Sequence, residues 1–130
     1  MTISVLVVDD SKTLCRSLGT LLSEAGYSAA TARSGEEGLR LWQEIQPELV
    51  ITDVMMPERD GIEMIMDIRR HRPQAKILAM TAFRHSGTVD FADMLRRLGA
   101  DDVLIKPFAP EVLLTKVDRL ISLPTALFAA

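Results

Sequence analysis

Residues 5–11 read Val5-Leu6-Val7-Val8-Asp9-Asp10-Ser11: four apolar residues, then two acids and a serine. A short run that is apolar on both faces suits a strand buried in a parallel sheet. Runs of the same kind recur at 27–32, 49–52, 76–80 and 103–105, and the first reaches back to Ile3. Longer stretches with helical spacing separate them. Leu14, Leu18, Leu21 and Leu22 share one face and end at Gly26, a stop signal. Ser34 predicts an N-cap, with Glu36 and Glu37 in the first turn, Leu39, Trp42 and Ile45 facing inward and Pro47 as terminator. Asp60 predicts the cap of a third helix carrying Ile62, Ile65 and Ile68, which stops before Pro73. Phe91, Met94, Leu95 and Leu98 form a fourth stripe closed by Gly99. A fifth helix from about Pro110 is expected to bury Val112, Leu113, Val117, Leu120 and Ile121. Five βα units in a row predict an α/β, doubly wound sandwich, with helices on both faces of a parallel sheet.

The chain of 130 residues fits one domain, expected over 1–123 with a short tail at 124–130. Apolar residues make up 48% and charged residues 25%, an ordinary globular balance and not that of a disordered chain. A net charge of −3 argues against direct nucleic-acid binding, which normally needs a basic face. No apolar run approaches the ~20 residues of a membrane span. The single cysteine, Cys15, has no internal partner and suits a reducing cytoplasm; it reads as a packed or partly exposed thiol.

In such a fold, ligands sit outside the carboxyl ends of the strands. The first strand ends in Asp9-Asp10, the third in Asp53, the fourth in Thr81-Ala82 and the fifth in Lys106-Pro107. Only the second strand delivers nothing polar, as expected of a strand at the sheet's border. Converging carboxylates repel one another and resist ionising, and a bound cation removes that conflict. All-oxygen ligands in a partly hydrated site point to Mg²⁺. With a cation and Lys106 to offset charge, Asp53 is equipped to attack a phosphoryl group, and the Thr81 hydroxyl to hold it. Singly, each residue has a plainer explanation: Asp9-Asp10 as a strand end and cap, Asp53 as a loop acid, Lys106-Pro107 as a turn. The combination, in this order and at one edge, carries the reading.

The strings VLVVDDS, DVMMPERDG, MTA and LGADDVLIKPF, in this order, resemble the receiver domains of bacterial response regulators over about residues 3–121. The resemblance implies a flavodoxin-like sheet in the order 2-1-3-4-5. It implies that Asp53 is the phosphoacceptor and that Thr81 and Lys106 hold the phosphoryl group. Asp10, Asp53 and the carbonyl of Met55 would hold Mg²⁺, with Asp9 acting through water, and the Lys106-Pro107 bond would be cis. The implied partners are a histidine kinase or histidine phosphotransfer protein and an output protein. The chain itself would be a cytoplasmic signalling switch, not an enzyme acting on other substrates. It would be monomeric or a weak homodimer through the face of the fourth helix, fifth strand and fifth helix, where Arg96, Arg97, Asp118 and Arg119 predict mixed charge. The absence of a long C-terminal extension favours a stand-alone receiver. The alternatives are the receiver part of a longer regulator with a DNA-binding or enzymatic output, and an aspartyl-phosphate phosphatase. The latter needs a second acid two residues past the nucleophile, where this chain has Met55.

Two departures matter. The family commonly carries an aromatic three residues before the lysine, where this chain has Val103, too small and stiff to act as a rotamer switch. The segment 83–88 is longer than usual and contains a glycine, so it is expected to be mobile and to reorder on phosphorylation in place of the aromatic. Met55 and Phe83 flank the path of an attacking water; apolar side chains there cannot orient it, which predicts slow self-dephosphorylation.

Overall fold

The computed structural model describes residues 2–56, 61–82, 85–86 and 88–123. Five strands, β1 (Ser4–Val8), β2 (Ser28–Ala32), β3 (Leu49–Asp53), β4 (Lys76–Thr81) and β7 (Asp102–Ile105), form one parallel sheet in the order β2-β1-β3-β4-β7. Counted within that sheet, this is the expected 2-1-3-4-5. Five helices alternate with the strands: α1 (Lys12–Glu24), α2 (Gly35–Ile45), α3 (Gly61–His71), α4 (Phe91–Leu98) and α5 (Pro110–Ser122).

Strand parity divides the interior into two cores. Val5, Val7, Leu49, Ile51, Leu78, Met80 and Leu104 meet Cys15, Leu18 and Leu22 of α1 and Leu113, Val117 and Leu120 of α5. Their alternates Leu6, Val8, Val50, Ile77, Ala79 and Val103 meet Trp42 of α2, Met64, Ile65 and Ile68 of α3 and Leu95 of α4. Because successive strand side chains point to opposite faces, one continuous apolar run feeds both layers.

The local signals act as expected. The hydroxyls of Ser11 and Ser34 accept from the N–H groups of Leu14 and Glu37, and Asp90 accepts from Asp93. Gly26 and Gly99 take positive φ, 97° and 129°, where a side chain would be strained. The expected Asp60 cap and the tail 124–130 lie outside the described residues.

Three expectations need correction. Ile45 is 38% exposed: α2 ends there, Gln46 turns left-handed at φ 51°, and Pro47 is buried just beyond. Val112 is 44% exposed, because the buried face of α5 runs through Leu113, Val117 and Leu120, one residue round the helix. The segment before α4 contains a short antiparallel hairpin, β5 (His85–Ser86) with β6 (Val89–Asp90). Beside them, Arg69 in the last turn of α3 is a tie that the sequence did not reveal. Its guanidinium donates to the carbonyls of Gly99, Pro73 and Ala75 and to the Asp101 carboxylate, which also receives the Ile77 N–H.

Candidate functional site

The parallel register brings the strand ends together at one edge. Asp9 follows β1, Asp53 closes β3, Thr81 closes β4 and Lys106 follows β7. Backbone bonds fix them: Asp9 N–H donates to Ala32 O at 3.0 Å, Val54 N–H to Met80 O at 3.1 Å, and Lys106 N–H to Thr81 O at 2.8 Å. The last of these sets the lysine beside the threonine, and the Lys106-Pro107 bond is cis, as expected.

Carboxylate oxygens of Asp9, Asp10 and Asp53 lie within 4.8 Å of one another. Their surroundings differ. Asp10 is exposed, whereas Asp9 and Asp53 are 1% and 6% exposed. Both Asp9 oxygens are engaged: one accepts the Ser11 N–H at 2.8 Å, and the other the Lys106 ammonium at 2.6 Å. The ammonium lies 3.5 Å from Asp53, whose other oxygen accepts the Met55 N–H at 3.3 Å. Burial, more than any neighbour, pushes the Asp53 carboxyl above its ordinary pKa; Lys106 pulls it back and Asp9 adds to the rise. Repulsion between carboxylates, the cause read from sequence, is the smaller effect. Thr81 is 1% exposed at the end of its strand, and Met55, two residues past Asp53, is 57% exposed. Phe83, expected to flank it from the other side, lies outside the described residues.

A family model described as the response regulator receiver domain matches residues 5–118. The chain belongs to that family. Receivers are phosphorylation-dependent switches of two-component systems, modified on an aspartate, and generally bind Mg²⁺ at an acidic site. The receiver is 40% identical over 119 residues to "Probable transcriptional regulator ycf27" of Cyanophora paradoxa, covering 90% of this chain and 47% of that protein. It is 38% identical over 116 residues to "Protein CcdB" of Bacillus subtilis, covering 88% of this chain and 94% of that one. The chemotaxis protein CheY4 of Vibrio cholerae superposes with a TM-score of 0.83 at 32% identity, over 92% of this chain and 99% of that one. The receiver thus spans about half or less of the length of several curated relatives, 47%, 43% and 25% in three of them.

Two glycines that sequence reasoning left without a role shape the receiver's site. A Cβ on Gly61 would fall 1.9 Å from the carbonyl oxygen of Asp53, so α3 packs directly on the Asp53 backbone. A Cβ on Gly38 would meet Val8 at 2.9 Å and the Met64 sulfur at 3.0 Å, beneath the end of β1. The only sequence signal was a glycine inside DVMMPERDG, and a glycine alone does not say what approaches it. Cys15 is buried, and its thiol donates to the Asp9 carbonyl at 3.2 Å; burial first, then the Asp9 charge, raises its pKa, which suits packing over reactivity.

Proposed function

We propose that Asp53 accepts the phosphoryl group of this receiver, from a histidine kinase or histidine phosphotransfer protein. The observation that carries the reading is a nearly buried carboxylate, Asp53, 3.5 Å from the Lys106 ammonium and clustered with Asp9 and Asp10. An Asp53 oxygen bonds to phosphorus as the donor's P–N bond breaks, and the freed imidazole takes a proton. Hydrolysis later returns the carboxylate and inorganic phosphate. Lys106 rests on Asp9 at 2.6 Å, so a phosphoryl group on Asp53 competes for its ammonium, and the Thr81 hydroxyl donates to a phosphoryl oxygen. Asp10 and Asp53, with the Met55 carbonyl and with Asp9 through water, would hold Mg²⁺. When bound, the ion supplies charge neutralisation for the acceptor and the phosphoryl oxygens.

The signal would leave through the face of α4, β7 and α5 toward an output protein, with the chain a monomer or a weak homodimer. Burial alone would raise the Asp102 carboxyl, but bonds from the Val103 N–H, Arg96 and Lys116 outweigh it and hold the pKa at about 2. Arg119 also donates to this carboxylate. Asp118, assigned to the same face from sequence, is instead drawn to the Tyr27 hydroxyl. The face is therefore of mixed charge, with Arg96, Lys116 and Arg119 gathered on Asp102 and Arg97 paired with Asp93. We assign 1–123 to the receiver and 124–130 to a tail, working in the cytoplasm. A second reading, the receiver part of a longer transcriptional regulator, is favoured by the relatives of about twice its length. The stand-alone reading is favoured by CcdB and CheY4, which the chain nearly spans.

Borohydride reduction after treatment with Mg²⁺ and acetyl phosphate tests the assignment, because it converts a phosphoaspartate to homoserine. Peptide mass mapping should place the homoserine at residue 53; a homoserine at Asp9 or Asp10 would overturn it.

A further inference from the structure

The far end of the sheet carries a polar contact that the phosphoryl chemistry does not use. Lys76, the first residue of β4, sends its ammonium to the last turn of α5, donating to Ile121 O at 3.0 Å and Leu123 O at 2.6 Å. The final carbonyls of a helix have no intrahelical donors, and a cation there also complements the helix dipole. Leu120 and Ile121 pack the turn on the core from one side, and beyond them it is open. Ser122 is exposed, Leu123 is 45% exposed and Ile121 is half-buried. Arg119, the basic residue of the last turn, is committed to Asp102. The Ser122 hydroxyl donates back within the helix, to Asp118 O.

We propose that Lys76 is an anchor for the end of α5: it ties the last turn of that helix to the start of β4 and so holds residues 121–123 in order against the sheet. Lys76 pairs in register with Leu49, and the neighbouring Glu48 carboxylate accepts both the backbone N–H and the hydroxyl of Ser4 at 2.8 Å. The anchor is thus seated on the first residues of β1, β3 and β4. A charge-assisted bond to backbone carbonyls requires no apolar contact, so it can be removed without opening a cavity in either core. The inference stands apart from the phosphorylation reading, since the contact lies at the opposite edge.

The test uses the full 130-residue chain, and its first arm needs no variant. In wild type, the Lys76 ammonium protons should exchange with solvent more slowly than those of the exposed Lys12; equal rates would overturn the proposal. In the second arm, Lys76→Met keeps the stem and removes the donors. Backbone amides at 121–123 should lose ¹⁵N{¹H} NOE, and the Leu123 amide should exchange about tenfold faster, while α1 and β1 keep their protection. Lys76→Arg should restore the order. Unchanged order at 121–123 in a folded Lys76→Met would refute the anchor. If that variant loses protection throughout, the wild-type ammonium exchange decides. Phosphorylation by acetyl phosphate should be the same in all three proteins, so loss of the site and loss of the anchor read out separately.

Discussion

Asp53 is held in place by its neighbours' backbones as much as by their charges. Gly61 leaves no room for a Cβ against the Asp53 carbonyl. Gly61→Ala should therefore cost about 1–3 kcal/mol in urea unfolding, the usual scale of overpacking. It should also slow phosphorylation of the fraction that remains folded; an unchanged rate would show that α3 yields without moving the acceptor. Met55 stands exposed at the rim, where an apolar side chain cannot orient water. Met55→Asn should speed loss of the phosphoryl group by about tenfold or more, measured as decay of the phosphorylated mass. An unaltered decay would remove Met55 from the account. Asp102 is a different kind of residue, a buried acid gathered by Arg96, Lys116 and Arg119. Its pKa falls from 3.8 to about 2 on folding, so its stabilisation is full above pH 3.8 and is lost as the pH drops toward 2. Asp102→Asn should cost about 1–2 kcal/mol at pH 7, after discounting for the solvent-exposed guanidinium groups, and nearly nothing at pH 2. Equal costs at both pH values would contradict the assignment.

At the scale of elements, caps, glycine stops and apolar spacing were legible because each acts within a few residues. Ser34, Gly26 and Gly99 all stand where the sequence placed them, and Ser11 takes the cap expected of the acids before it. Ile45 and Val112 were misread because a stripe of apolar residues does not say where its burial ends; the turn at Gln46 and the one-residue rotation of α5 decide that. The segment before α4 was read as an open loop, and its hairpin pairs only two residues on each strand, too few to leave a pattern in the sequence. Val103 is buried against Ala79 in register, with no aromatic to swing. The hairpin and the start of α4, capped by Asp90, are then the elements expected to respond to phosphorylation. Amide exchange at 85–86 and 89–93 should change on adding beryllofluoride and Mg²⁺; identical protection with and without it would send the signal elsewhere.

Across the whole molecule, the sheet separates two tasks. Its carboxyl edge gathers Asp9, Asp10, Asp53, Thr81 and Lys106, while Arg69 and Lys76 bind carbonyls at the other edge. The chemistry was legible in the sequence because strand ends in a parallel sheet converge by topology, so that reading where each strand stops sufficed to place it. The opposite edge was not legible. Arginine and lysine at strand and helix ends look alike in sequence whether they meet water or a carbonyl 30 to 47 residues away. No helix among the described residues is long and apolar enough to cross a membrane. The central claim is that this edge takes a phosphoryl group on Asp53 with Mg²⁺ present. Intact mass after incubation with acetyl phosphate and Mg²⁺ tests it most directly, on wild type and Asp53→Asn. A single phosphoryl adduct on wild type, absent from Asp53→Asn and from wild type with excess chelator, is the predicted result. An adduct that survives in Asp53→Asn, or none on folded wild type with Mg²⁺ bound, would contradict it.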